Sequence, residues 1–188
     1  TDKLIADPNA APEELAQAFT TEGFEDTKKA LDGARAILVD RFALDADLVG
    51  EVRERMFTEG SMGAHVVEGK EAEGAKFKDY FSFNEPFHTL PSHRILALLR
   101  GENEGVLQLQ LDAGDDADYE DVIASRFELD RSSKWLADAV HWGWRTKLYI
   151  SSSLDVRMRL KEVAEEGALK IFATNLRDVL LAAPAGQR

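Results

Sequence analysis

The sequence predicts a mainly α protein, a multi-helix domain carrying one small two-stranded β-sheet. Three observations lead there. Apolar residues recur at intervals of three and four over most of the 188 residues. Two stretches, residues 64–67 and 106–111, have strand character, and the second alternates strictly between leucine and glutamine from Leu107. Residues 89–112, which include the second stretch, pass from helix through a tight turn to strand without a long loop.

Pro12 opens a short helix with Leu15, Ala18 and Phe19 on one face, since proline suits a first turn. Gly23 separates it from a longer helix marked by Leu31, Ala34, Leu38 and Phe42. Asp45 or Asp47 can cap the next helix, where Leu48, Val52 and Met56 recur every four residues. The glycines at 60, 63, 69 and 74 read as turn residues. Ala64-His65-Val66-Val67 reads as a strand paired with residues 106–111, because an isolated strand leaves its backbone groups without partners. The aromatic-rich residues 76–83 read as an end-of-helix segment packed on the core.

Pro91 and Ser92 lead into the apolar run Ile95-Leu96-Ala97-Leu98-Leu99, which ends at Arg100-Gly101, where glycine can close a helix in the left-handed conformation. The alternation that follows sets Leu107, Leu109 and Leu111 on one face and Gln108 and Gln110 on the other. After an acidic loop, Asp116 or Asp118 caps a helix with Tyr119, Val122, Ile123 and Phe127 inward. From Arg131 the chain is almost wholly helical. Ser132 or Ser133 caps a helix carrying Trp135, Leu136, Ala139, Val140 and Trp144, and Ser151-Ser152-Ser153 interrupt it. A last helical region reaches about Leu181, with Val156, Leu160 and Val163 on one face and Phe172, Leu176 and Val179 further on. Gly167 kinks or splits it, and Ala183-Pro184-Ala185-Gly186 ends it.

The composition, 44% hydrophobic and 31% charged, is that of a soluble globular protein of one domain or two small ones, with no apolar run long enough for a membrane span. The absence of cysteine excludes disulfides and thiolate metal sites and suits a reducing, cytoplasmic setting. The formal charge of −12 argues against strong attraction to nucleic acid or anionic lipid, yet it is unevenly placed. Residues 1–130 carry a net −16 and residues 131–188 a net +4. This divides the chain into an acidic helical domain with the small sheet, 1–130, and a mildly basic helical segment, 131–188. A phosphate backbone would meet the second part, and Arg145, Lys147, Arg157 and Arg159 are its candidate contacts.

Catalytic equipment is not visible, and no cofactor or metal is expected. His65, His88, His93 and His141 form no recognised ligand spacing. The acidic run Asp112, Asp115, Asp116, Asp118, Glu120 and Asp121 lacks the alternate-position pattern of a calcium loop and reads as a solvated, helix-capping loop. Gly63 to Lys70 departs from a phosphate loop in spacing and lacks the hydroxyl after the lysine. Trp135, Trp142 and Trp144 could stack bases, but their helical spacing assigns one or two of them to the core.

Pro91-Ser92-His93-Arg94, then Ala97-Leu98, Arg100-Gly101-Glu102 and Glu104-Gly105-Val106-Leu107, resemble the central signature of the Tex family of bacterial transcription accessory proteins. Gly74-Ala75-Lys76-Phe77-Lys78-Asp79-Tyr80-Phe81 upstream, and Asn175-Leu176-Arg177-Asp178-Val179-Leu180-Leu181-Ala182-Ala183-Pro184-Ala185-Gly186 at the end, fit the same family in the same order. The resemblance implies that the chain is a segment of a longer protein, ahead of an RNase-H-like domain, helix-hairpin-helix modules and an OB-fold RNA-binding domain. It makes Pro91, Ser92, His93, Arg94, Arg100 and Gly101 scaffold residues, and implies nucleic-acid binding linked to transcription. The alternative is a module that docks its acidic part on the transcription machinery without touching nucleic acid.

Overall fold

The computed structural model describes residues 1–20 and 26–182. Gly23 and residues 183–186, expected to mark a break and a helix end, lie outside them. Among the described residues are eight α-helices and a three-stranded antiparallel sheet, so the chain is mainly α and its sheet has one strand more than predicted. The chain divides into two compact units, Thr1–Met56 with Ala113–Asp155, and Phe57–Asp112 with Val156–Arg188.

The first unit is helical. A short helix missed by the sequence pattern, α1 (Asp2–Ala6), precedes α2 (Pro12–Gln17) and α3 (Thr27–Leu44). Pro12 takes the first position of α2, where its missing N–H costs no hydrogen bond. The buried residue of α2 is Ala16, and Phe19 is exposed. Asp26 caps α3 by accepting from the Lys29 N–H at 2.6 Å, and Asp45 caps α4 (Ala46–Glu59) by accepting from the Leu48 N–H at 2.8 Å. Leu38 and Phe42 of α3 and Leu48, Val52 and Met56 of α4 are buried, following the predicted periodicity, while Leu31 and Ala34 are half-buried and Val39 joins the core outside the predicted stripe. The cap of α6 (Asp116–Arg126) is Asp115, which accepts from the Ala117 N–H at 3.0 Å, instead of Asp116 or Asp118. Gly143 ends α7 (Lys134–Gly143) where it crosses α3, and a Cβ there would lie 2.8 Å from the Phe42 ring.

A π-helical stretch, Trp144–Leu148, carries α7 directly into α8 (Tyr149–Leu181). The three serines do not interrupt it. The Ser151 hydroxyl donates to the Leu148 carbonyl at 3.2 Å and the Ser153 hydroxyl to that of Ile150 at 2.9 Å, so both fold back onto their own helix.

The second unit is built on the sheet. Its order is β2-β1-β3, with β1 (Ser61–Val66) central between β2 (Ser82–Pro86) and β3 (Leu107–Asp112). The predicted pairing of β1 and β3 is present, with Val66 opposite Leu107 and Met62 opposite Leu111. Gly63 therefore lies inside a strand and not in a turn. Residues 76–83 are not a helix end: a 3-10 helix, Ala75–Tyr80, leads into β2, whose Pro86 is tolerated because the strand is an edge. The inner face of the sheet packs Met62, Ala64, Leu107 and Leu111 with Ile95 and Leu98 of α5 (Ser92–Asn103), all buried.

The end of α5 is also displaced from Arg100-Gly101. Gly105, with φ +69, is the left-handed residue. The Gly105 N–H donates to the Glu102 carbonyl at 2.9 Å and the Val106 N–H to that of Gly101 at 3.0 Å, a complete Schellman closure. Gly101 is helical and buried, and a Cβ on it would lie 2.5 Å from Leu107 Cδ1. In α8 the inward stripe is Val156, Leu160 and Ala164, spaced by four; Val163 is exposed, as are Phe172, Leu176 and Val179. The helix runs unbroken through Gly167, which lies against Ser92.

Candidate nucleic-acid interface

Of the four predicted phosphate contacts, Arg145 and Lys147 fall in the first unit and Arg157 and Arg159 in the second. Each already has an internal partner. Arg145 reaches Asp116 at 3.2 Å and lies 5.4 Å from the centre of the Tyr149 ring. Lys147 is 3.6 Å from Asp40. Arg157 pairs with Glu102, and the Arg159 guanidinium lies 3.8 Å from the centre of the Phe57 ring. Arg145 and Lys147 keep about half their side-chain surface exposed, 51% and 55%, so an outer face of each remains open to an anion.

The part of the acidic run from Asp116 to Asp121 is a hub of ion pairs inside the first unit. Asp116 accepts from the Trp144 indole N–H at 2.7 Å as well as from Arg145, and Asp118 pairs with Arg55 at 3.3 Å. Glu120, nearly buried, accepts from Arg131 at 2.8 Å and meets His141 Nδ1 at 2.6 Å. Arg131 also pairs with Asp121. These pairs tie α6 to α4, α7 and the π-helical stretch, a structural use for carboxylates that sequence spacing alone leaves unassigned.

The tryptophans separate by environment. Trp144 is fully buried and stacks on Tyr119 with ring centres 4.2 Å apart and planes 5° apart, so it cannot stack a base. Trp142 is exposed, with the Arg35 guanidinium 5.3 Å from its centre. An apolar cleft of about 800 Å³ lies among α1, α2 and α3, lined by Leu4, Leu15, Phe19, Leu31 and Ile37. The Asp2–Arg41 pair at its rim, 2.7 Å apart, holds the Asp2 carboxyl below the usual carboxylate range.

The motif residues serve packing within the second unit. The Pro91 carbonyl accepts from the N–H groups of Arg94 and Ile95 at 2.9 and 3.2 Å, starting α5. Arg94 reaches back to Glu85 of β2 at 2.6 Å. Arg100 and Lys76 converge on Glu104 at 2.9 and 2.6 Å; the hydrogen bond from Lys76, then that from Arg100, pulls the Glu104 carboxyl below its ordinary range. His93 is exposed in the first turn. Ser92 and Gly101 are the points where α8 and β3 come close.

No helix among the described residues is long and apolar enough to cross a membrane. The Tex central region-like family matches residues 7–172. The chain is 47% identical over 193 residues to the transcriptional accessory protein Tex of Neisseria gonorrhoeae, covering 99% of this chain and 26% of that protein. It is 43% identical over 204 residues to protein tex of Bordetella pertussis, covering 100% of this chain and 26% of that protein. Transcription elongation factor spt6 of Schizosaccharomyces pombe is 22% identical over 184 residues, covering 95% of this chain and 13% of that protein. The chain thus spans about a quarter of the length of these bacterial relatives. With most of its length matched, the chain belongs to the Tex central region-like family.

Proposed function

We propose that this chain is the helical scaffold segment of a Tex-related transcription accessory protein, cytoplasmic and without catalytic activity of its own, that carries and orients nucleic-acid-binding parts of the whole protein. The observation that supports this is the use made of the motif between 91 and 101. Pro91, Ser92, Arg94, Arg100 and Gly101 all start, close or pack α5 within the second unit. Arg145, Lys147, Arg157 and Arg159 add secondary contacts to phosphates, weakened because each shares its charge or face with an internal partner.

Fluorescence anisotropy of the chain with single-stranded RNA and duplex DNA at low and physiological salt tests this. Weak, salt-sensitive binding that falls when all four residues become glutamine is the expected result. Binding unchanged by the four substitutions would remove these residues from the interface. A second reading rests on the net −16 of residues 1–130: docking on a basic surface of the transcription machinery. Salt-sensitive capture of a polymerase, with no affinity for RNA or DNA at either salt, favours it.

A further inference from the structure

The outer face of the sheet in the second unit holds a feature that the scaffold role does not use. Gly63 sits in the middle of the central strand, opposite Asn84 of β2 and Gln110 of β3, so all three face the same way. Glycine weakens a strand interior, and its usual reasons are absent here. Gly63 is not among the positive-φ glycines, and the pairing runs through it in unbroken register on both sides, without a bulge. Nor is it crowded: a Cβ would meet the Gln110 and Phe83 carbonyl oxygens at 3.5 and 3.8 Å, ordinary contact distances. What its missing side chain does is leave a dent in the sheet. The remaining common role of a strand glycine is close approach of a ligand or of another backbone, and the polar side chains around this dent favour a ligand.

The dent encloses about 240 Å³ and is lined by Gly63, His65, Asn84, Gln110 and Asp112 with parts of Ala64 and Phe83. That is below the range of about 300–1,000 Å³ for drug-sized pockets, which limits the occupant to one ring system. The outward positions around it are Ser61 and His65 on β1, Ser82, Asn84 and Pro86 on β2, and Gln108, Gln110 and Asp112 on β3. This grid carries no lysine or arginine, so it does not suit a phosphate. Asn84 and Gln110 each offer a donor and an acceptor from opposite sides of a flat peptide floor, the pairing that side-chain amides make with base edges. His65 sits one outward position along, its Nε2 3.2 Å from Gln108 Oε1.

We propose that this sheet face binds one unpaired nucleobase, seated flat on Gly63 and hydrogen-bonded at its edges by the Asn84 and Gln110 side chains. The inference rests on the nucleic-acid reading above for its biological setting, but its chemistry is separate, since the contact is to the base through two neutral amides, and the charge beside it, Asp112, is negative and would repel a phosphate.

The test is a titration of the isotopically labelled chain with adenosine, cytidine and uridine, which have no phosphate, followed by ¹H–¹⁵N NMR. Saturable shifts are expected at the Gly63 amide and at the Asn84 and Gln110 side-chain amides, with affinity changing less than about twofold between about 50 and 200 mM salt. Gly63→Val should weaken binding at least about tenfold while leaving other signals in place, because valine suits a strand and its Cβ has room. Asn84→Ala with Gln110→Ala should weaken it without filling the dent. No saturable shift at these groups, or equal binding by Gly63→Val, overturns the proposal, as does saturation by a short capped peptide but by no nucleoside. If nucleosides fail while salt-sensitive binding of RNA persists, the base site falls and the phosphate contacts stand; the converse result reverses that.

Discussion

Gly167 of α8 lies directly on Ser92, the first residue of α5: a Cβ at 167 would fall on the Ser92 hydroxyl and come within 3.1 Å of its Cβ. At the other end of α5, Glu102 pairs with Arg157, so α8 runs alongside α5 in the opposite direction. Alanine is about 1 kcal/mol better than glycine inside a helix, yet Gly167→Ala should destabilise by about 1–3 kcal/mol because the serine must move. In a Ser92→Gly background the same change should stabilise. Urea unfolding of the four proteins of this cycle decides it; a penalty indifferent to residue 92 would discard the contact.

Trp144→Ala should destabilise by about 3–5 kcal/mol, as it empties a fully buried site and removes the ring stacked on Tyr119. Trp142→Ala, at an exposed position, should cost about 0.5 kcal/mol or less. Thermal or urea denaturation distinguishes the two, and similar losses at both positions would contradict the burial assigned here.

Asp116→Asn and Arg145→Gln should move nucleic-acid affinity in opposite directions. The first releases Arg145 from a carboxylate while keeping an acceptor for the Trp144 indole; the second removes the cation. Anisotropy titrations over a salt series should show a slope smaller by about one for Arg145→Gln. Weakening by both substitutions would mean that Asp116 acts through the fold alone.

Stability should fall in acid through Asp45. Its carboxyl is held below the usual range, first by the Leu48 N–H it caps and then by Arg126. The folded-state pKa is depressed, so the stabilisation is complete above the unfolded value of about 3.9 and is lost as pH falls through the lower folded value. Asparagine still caps a helix, so Asp45→Asn should flatten this acid limb of the urea midpoint and leave the α4 start intact. Parallel limbs for the two proteins would exclude the Asp45 charge.

A Cβ at Gly101 would press on Leu107 Cδ1 and Cγ at 2.5 and 2.8 Å. Gly101→Val should therefore cost about 1–3 kcal/mol or more, and Leu107→Ala in the same chain should recover part of it. Gly50→Ala, with nothing within 4 Å, should stabilise its helix by up to about 1 kcal/mol and serves as the control.

Features that depend on short-range pattern are legible in the order of residues alone. The stripes Leu38–Phe42 and Leu48–Met56 and the alternation of β3 are all set within a few residues, where backbone geometry dictates which side chains share a face, while the cap of α4 is narrowed to Asp45 or Asp47. Tertiary structure decided the choices that local pattern does not settle. Local pattern ends α5 at Gly101, but Leu107 packs closely against Gly101 inside the helix and Gly105 is the left-handed residue. Local pattern offers Asp116 or Asp118 as the cap of α6, but Asp116 is taken by Trp144 and Arg145, nearly thirty residues away, and Asp115 caps the helix. β2 has a single large apolar residue, Phe83, on its half-buried face beside Glu85, too little for a period-two signal, so its strand character comes from pairing with β1. The basic residues of the candidate interface were visible as charges, but their partners were not, because an ion pair is selected by which helices pack together. The Gly63 dent, too, exists only once neighbouring strands set Asn84 and Gln110 beside a residue with no side chain.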